Sequence, residues 1–201
     1  MGFIMCDHTW PDKLRTALKE HLTDDEIEFI TGDLKDFENL NEDEKSSLLE
    51  VAIRGLDQKQ IEKNELANIM AACSCGCYEE HLARIKKVYD QTGDIDQLID
   101  AMQGSVFLNR PERQGDKVFI TKAPRFPEKH AAAKTSDEKC RCFCHCDNAR
   151  AAKNMPLTYC LCGAGWCKNI WEKVLNRPVR VEITHSVLRG DDYCRFAVDL
   201  E

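Results

Sequence analysis

The sequence predicts an α+β fold, in which a helical N-terminal half packs on a C-terminal α+β unit with a small antiparallel sheet. Two patterns predict this fold. Apolar residues recur at helical spacing from residue 10 to about residue 103, and residues 163–200 read as helix, strand, turn and strand. With 201 residues, the chain is long enough for one domain with a core, or for a helical domain and a smaller α+β unit.

The helices of the N-terminal half have recognisable starts and apolar faces. Thr23 and Glu26 form the pattern of a capping box, and Asn41 is placed to cap the next helix. Gly93 ends a later helix, and residues 94–102 form a short one. The apolar residues that define these helices are Ile27, Phe29, Ile30, Leu48, Leu49, Ala52, Ile53, Ile61, Leu66, Ile69, Met70, Leu82, Ile85, Val88 and Tyr89.

Residues 104–139 differ from the helical half because three prolines interrupt them. Only Lys117–Thr121 has the composition of a strand there, and His130–Glu138 is predicted as an exposed linker or short helix. We therefore expect a helical region over residues 1–104 and a cysteine-rich α+β region over residues 105–201, either as separate units or as one integrated domain.

The C-terminal part is predicted as a helix followed by a hairpin. Gly163–Leu175 carries an apolar stripe that begins at Trp166, which is typical of a packed helix. In Val179–Ile183, apolar and polar residues alternate as in a half-buried strand. Arg189–Asp192 is the predicted turn, and Cys194–Leu200 alternates as the returning strand.

Charge and composition exclude several classes of partner. The net charge is −7 and no stretch concentrates Lys and Arg, so neither nucleic acid nor an anionic membrane is the expected partner. The apolar runs are too short to span a bilayer. Because Met1–Trp10 lacks a basic lead and an apolar core, we expect no signal peptide and a cytoplasmic protein.

Twelve cysteines are many for a chain of this length, and nine of them lie in three tight clusters. Neighbours two residues apart cannot readily form a disulfide with each other. In a reducing compartment, thiols grouped in this way are more often metal ligands or redox pairs. The clusters are Cys73, Cys75 and Cys77; Cys140, Cys142, Cys144 and Cys146; and Cys160 and Cys162.

Cysteine alternates with other residues over Cys140–Cys146, which we interpret as an extended strand with four thiols on one face. Thiols about 6.5–7 Å apart along a strand cannot all bind one ion, so other segments must supply ligands. A metal could in this way link the helical half to the α+β half. The alternative is that the cysteines are small buried hydrophobes, which suits Cys6, Cys167 and Cys194 when each is taken singly.

Zinc is the first choice of metal, since four thiolates in a tetrahedral site are a common solution. An iron–sulfur cluster needs a similar set of thiolates, and copper(I) also prefers soft sulfur ligands. The spacing of the cysteines does not separate these metals. The candidate ligands are Cys73, Cys77, Cys142, Cys144, Cys160 and Cys162.

Two further residues are candidates for chemistry. His185 continues the apolar phase of the predicted strand and should face inward, either as a functional group or as a hydrogen-bonded core residue. Cys162 opens a helix, where the dipole would lower the pKa of its thiol and make it reactive. The alternative at Cys162 is a tight turn that needs the following glycines for their backbone conformation.

The stretch Tyr159–Leu200 resembles the end of the 4-vinyl reductase domain. The resemblance is carried by the glycine–tryptophan start of the helix, by Pro178-Val179 and by Gly190–Phe196. The same ending resembles the family of L-2-amino-thiazoline-4-carboxylic acid hydrolases, whose helical N-terminal half is laid out similarly. The first resemblance implies an enclosed apolar pocket beside a cysteine-liganded zinc, and it implies Cys194 as a ligand.

The first family includes small-molecule sensor domains, and this chain departs from them at two positions. Where they carry a cysteine eight residues before the last one, this chain has Ser186. An expected carboxylate ligand is at best Glu182, which is out of phase with the buried face.

The leading hypothesis is a thiolate metal-binding protein with a buried pocket for a small-molecule ligand near Trp166 and His185. One alternative is a hydrolase of a small heterocyclic substrate that uses a metal-bound water or Cys162. Another is a protein that stores or transfers soft metals. An open coordination position on the metal would favour the enzyme, and a closed site of four cysteines would favour a structural role. More than four thiolates close together would favour storage of metal. The oligomeric state stays open, with a homodimer as one option.

Overall fold

The computed structural model describes residues 10–74, 79–103, 108–143 and 154–201. These residues form helices and one small antiparallel sheet, which confirms the predicted α+β class. The helices are α1 (Trp10–Leu18), α2 (Asp24–Thr31), α3 (Glu42–Asp57), α4 (Lys63–Ala72), α5 (Glu79–Thr92), α6 (Ile95–Ala101), α7 (Pro127–Ala132), α8 (Ser136–Phe143) and α9 (Cys160–Leu175). The strands are β1 (Glu112–Gln114), β2 (Lys117–Thr121), β3 (Arg180–His185) and β4 (Arg195–Asp199).

The chain divides into two compact units, and the division differs from the predicted boundary near residue 104. Among the described residues, unit one takes residues 10–74 and 154–165. Unit two takes residues 79–103, 108–143 and 166–201. The start of α9 therefore belongs to the same unit as the N-terminal helices.

Unit one is built on helix pairs, with α1 against α4 and α2 against α3. Both predicted caps are confirmed. The Thr23 and Glu26 side chains each accept a backbone N–H of the other residue, and Asn41 Oδ1 accepts two at 3.0 Å. Phe29 is 75% exposed, because α2 turns it away from the face that buries Ile27 and Ile30. The largest fully buried side chains of this unit are Leu14, Leu18, Leu49, Ile53, Leu56 and Met70.

The capping box of α2 predicts a specific dependence of stability on pH. Hydrogen bonds from the backbone of Thr23 and from Lys59 lower the pKa of Glu26 from 4.5 to about 2. A carboxylate whose folded pKa is depressed stabilises the fold above its unfolded pKa and loses that contribution as the pH falls through the folded one. We therefore expect the difference in unfolding free energy between wild type and Glu26→Gln to shrink between pH 4.5 and pH 2.

Urea denaturation at a series of pH values measures this difference. Glu20→Gln is the matched control, because it makes the same change in charge at an exposed carboxylate of the same unit. An equal pH dependence of the two variants would contradict the role given to the Glu26 hydrogen bonds.

Unit two contains the four-stranded sheet, with the order β1-β2-β4-β3 and antiparallel pairing throughout. The predicted strand at residues 117–121 and the predicted C-terminal strand pair are confirmed. The buried face carries Val118, Ile120, Phe196 and Val198, each at most 2% exposed. A register shift between Ile183 and His185 interrupts the pairing of β3 with β4.

The connection between β3 and β4 is a short 3-10 helix, Val187–Arg189, followed by Gly190 at φ +90°. Ser186 is fully buried at the start of this turn. Its hydroxyl accepts the N–H of Leu188 at 3.1 Å, and its own N–H donates to Asp191 at 2.7 Å. Ser186 therefore caps the turn that connects β3 to β4.

The predicted strand over Cys140–Cys146 is wrong for its described part, since α8 continues to Phe143. The physical reason is a capping box that the alternation of cysteines obscures. Glu138 accepts the N–H of Thr135 at 3.0 Å, and Thr135 Oγ1 accepts the N–H of Glu138 at 3.2 Å. The prediction for Cys144 and Cys146 lies outside the described residues.

Candidate functional site

The seven cysteines in the described ranges all carry thiols. Five of them are buried and two are half-buried, namely Cys140 and Cys160. Of the predicted ligands, Cys77 and Cys144 lie outside the described residues. The buried thiols are Cys73, Cys142, Cys162, Cys167 and Cys194.

Unit one brings two predicted ligands together across 89 residues of chain. Cys73 follows the end of α4, and Cys162 lies in the first turn of α9. The Cys162 thiol donates to the carbonyl oxygen of Cys73, with Sγ and O separated by 3.8 Å. The Cys73 thiol donates to the carbonyl of Ile69, one turn back in α4, at 3.3 Å. The Cys162 thiol therefore lies against the backbone of Cys73, at the C-terminal end of α4.

A glycine makes this approach of α4 and α9 possible. A Cβ placed on Gly165 would lie 2.2 Å from the Cα of Ala71 and 2.5 Å from its Cβ. One interpretation of the sequence predicts a tight glycine turn after Cys162. This prediction is wrong, because α9 begins at Cys160 and continues through Gly163 and Gly165. Gly165 is required for helix contact rather than for a positive φ.

Burial sets the protonation of the Cys73 thiol. Its side chain is 1% exposed, and burial raises the pKa of Cys73 to about 12, with a smaller opposing effect of the Lys13 ammonium. Lys13 itself donates to the carbonyl of Ser74 at 3.4 Å. A buried thiol of this kind stays protonated near neutral pH unless a cation replaces its proton.

Cys160 does not share the face of Cys162. Residues two apart in a helix do not face each other, so α9 directs these two side chains differently. Within the described parts of the chain, no three His, Cys, Asp or Glu side chains are arranged to hold a metal ion. A four-ligand site that includes Cys73 and Cys162 therefore needs ligands from beyond those parts.

Unit two holds a second group of thiols. Cys194, Phe143 and Val187 form a buried apolar cluster, and Cys140 and Tyr193 pack against it. Sequence reasoning missed Cys140 as a neighbour of Cys194. The signal that could have found it is the capping box of α8, because a helix places Cys140 and Phe143 on one face.

The Cys142 thiol has a different environment from that of Cys140. It donates to the carbonyl of Glu138 at 3.2 Å, and burial raises its pKa. The Cys142 thiol is therefore hydrogen-bonded within its own helix, α8.

The two predicted ligand-binding residues, Trp166 and His185, both belong to unit two and are both half-buried. The His185 ring lies 4.9 Å from the Tyr193 ring at 32°, and its Nδ1 lies 3.2 Å from the hydroxyl oxygen of Thr184. The register shift beside His185 ends the alternation that predicted an inward side chain. A pocket between Trp166 and His185 stays a prediction.

Comparison with known proteins does not extend the resemblance found in the sequence. No protein-family model matches the chain, and no curated protein or solved structure shows significant similarity to it. The implied kinship with the 4-vinyl reductase domain, and with it the role of Cys194 as a zinc ligand, therefore stays an expectation. None of the helices in the described ranges has both the length and the apolar composition needed to cross a bilayer.

Proposed function

We propose that the chain is a cysteine-thiolate metal-binding protein whose centre includes Cys73 and Cys162. Zinc is the first choice of metal and an iron–sulfur cluster the second. The observation that carries the proposal is the contact between these two segments, in which the buried Cys162 thiol lies 3.8 Å from the carbonyl oxygen of Cys73, which is also buried.

The contact between two segments that each carry a buried thiol favours a cation over a purely structural role. Packing gives no reason for cysteine at every second residue, yet the segment that continues from Cys73 repeats it at Cys75 and Cys77. An ionised thiolate in an apolar site needs a positive partner, and a metal ion supplies it directly. The raised pKa of Cys73 fits this chemistry, since metal binding would then displace a proton that burial otherwise retains.

The remaining ligands come from cysteines beyond the described residues. Zinc in a structural site takes four ligands, and an iron–sulfur cluster also takes four thiolates. Cys77 and Cys144 are the predicted ligands among them, and Cys75 and Cys146 are their neighbours in the same clusters. A reducing, cytoplasmic setting belongs to the proposal because it keeps such thiols available.

The test is metal analysis and visible spectroscopy on the full chain purified without oxygen. We expect close to one equivalent of zinc without visible absorption, or iron with thiolate charge-transfer bands. Cys73→Ser and Cys162→Ser should each lower the metal affinity by at least about tenfold, because even the loss of a side chain that only supports a ligand usually costs about 10–100-fold.

Cys167→Ser is the matched control. Cys167 lies on α9 five positions after Cys162, is 1% exposed, and has a pKa that burial raises to about 12. The control should keep the wild-type metal content. Metal-free wild type from an anaerobic preparation, or equal metal loss in all three variants, would contradict the proposal.

The same measurement bears on the two alternatives. Several equivalents of a soft metal would favour storage or transfer over a single closed site. The small-molecule pocket and the hydrolase rest on the resemblance, and the contacts of Trp166 and His185 in the described residues add nothing to them.

A further inference from the structure

We propose a second and separate thiol activity, in which Cys140 and Cys194 form a redox-active dithiol that reduces low-molecular-weight disulfides by exchange. This inference lies wholly within unit two and does not depend on the metal centre of unit one. It assigns a function to a pair of thiols that the proposed centre does not use.

The geometry begins with the cluster around Phe143. Cys194 is 8% exposed within this cluster, and Cys140 packs against it from α8. The two cysteines are separated by more than fifty residues, yet they meet at one apolar patch where α8 contacts the turn at Val187–Arg189.

Polar contacts around the patch hold the two segments in place. Lys139, next to Cys140, forms an ion pair with Asp192, which lies two residues before Cys194. His130 Nε2 lies 3.1 Å from the carbonyl oxygen of that same Asp192. The His130 ring also meets the Phe143 ring edge-on, with centroids 4.8 Å apart. The ion pair between Lys139 and Asp192 therefore joins the helix that carries Cys140 to the segment that carries Cys194.

The backbone of Cys194 is fixed independently of this patch. Its carbonyl accepts the N–H of Lys122, which follows β2, at 3.0 Å. Since β4 begins at the next residue, Arg195, the sheet holds the backbone of Cys194 in place. The disulfide then closes by movement of Cys140, on the short helix α8, toward Cys194.

The difference in exposure assigns the two roles. Cys140 is half-buried and can be reached by a small substrate, so its thiolate attacks one sulfur of the substrate R–S–S–R. This step forms the mixed disulfide Cys140–S–S–R and releases one R–S⁻. The buried Cys194 thiolate then attacks the Cys140 sulfur, forms the Cys140–Cys194 disulfide and releases the second R–S⁻. The two protons lost by the cysteines end on the two released thiols, so that the dithiol is oxidised and the substrate reduced.

The sequence allows an unambiguous test. Trypsin cuts after Lys139 and Arg141 and after Arg189 and Arg195, so Cys140 is released in a dipeptide and Cys194 in the hexapeptide Gly190–Arg195. The reduced full chain is treated with bis(2-hydroxyethyl) disulfide, alkylated, digested and analysed by mass spectrometry. We expect the dipeptide linked to the hexapeptide, with release of two equivalents of 2-mercaptoethanol per pair.

Single variants test the order of the two steps. Cys194→Ser should stop at the mixed disulfide on Cys140, and Cys140→Ser should lose both the link and the reaction at Cys194. Cys142→Ser is the matched control on the same helix and should keep the link. Far-ultraviolet circular dichroism checks that each variant is folded.

Several outcomes would overturn the inference. The first is the absence of the link in the folded wild type, and the second is a link between other cysteines in its place. The third is reactivity of Cys194 in Cys140→Ser that equals that of the wild type. A link that forms only after chelation would also overturn it, since Cys194 would then be a metal ligand. None of these results bears on metal loss in Cys73→Ser and Cys162→Ser, so the two proposals fail separately.

Discussion

Replacement of Gly165 by alanine is expected to lower the free energy of unfolding by about 3 kcal/mol, toward the upper end of overpacking penalties. The added Cβ would lie 2.2 Å from the Cα of Ala71 and 3.0 Å from its backbone nitrogen. Backbone atoms within a helix cannot rotate away as a flexible side chain can, so α4 and α9 must separate. Urea denaturation monitored by circular dichroism measures the change.

Gly55→Ala is the matched control for this substitution. Gly55 also lies in a helix, α3, but its added Cβ would only meet the Cγ1 of Ile30 at 3.5 Å, an ordinary contact distance. Alanine is the better helix former, so this variant should be more stable by up to about 1 kcal/mol. Similar free energies for both variants would show that α4 and α9 do not pack as closely as the structure has them.

The Gly165→Ala variant also connects the fold to the candidate metal centre. The contact that it disrupts is one helical turn from Cys162 and two residues from Cys73. Metal content should therefore fall in Gly165→Ala although no thiol is removed, and it should stay at the wild-type level in Gly55→Ala.

Local signals account for the parts of the fold that the sequence predicts. The caps at Thr23 and Asn41 and the strand pair at the C-terminus depend on residues close together in the chain, so their patterns can be read directly. The same locality explains the error at Cys140–Phe143. A period of two in the cysteines indicates a strand, but the capping box of Thr135 and Glu138 stabilises a helix start, and the helix prevails.

The arrangement of the thiols depends on contacts between distant segments, which periodicity cannot predict. The clustering of cysteines in the sequence identified Cys73 and Cys162 as candidate ligands. The contact between their segments depends on the close packing of Gly165 against Ala71, which the sequence does not show. Likewise, Cys140 rather than Cys142 packs against the apolar cluster that contains Cys194, because the helical phase of α8 decides which thiol faces the cluster. The register shift between Ile183 and His185 is another feature that the alternation of apolar and polar residues does not mark, and the inward orientation of His185 stays a prediction.

Removal of the metal from the proposed centre is expected to have the largest effect on stability. When a metal binds the native state and not the unfolded chain, its binding free energy adds to the free energy of unfolding, up to roughly 10 kcal/mol for structural zinc in small domains. We expect a loss of several kcal/mol when a strong chelator is added to the anaerobically purified protein. Urea denaturation with and without chelator measures this loss as a difference within each variant.

That difference separates a ligand from a residue that only packs. Cys73→Ser and Cys162→Ser should have a lower free energy of unfolding than wild type even without chelator. Chelator should lower it little further, because the site in these variants already binds the metal weakly. Cys167→Ser is also destabilised by a hydroxyl placed in an apolar site, but it should keep the full chelator-dependent loss. If Cys73→Ser and Cys162→Ser respond to chelator as wild type does, any metal that stabilises the fold is bound elsewhere, and the contact between α4 and α9 is packing alone.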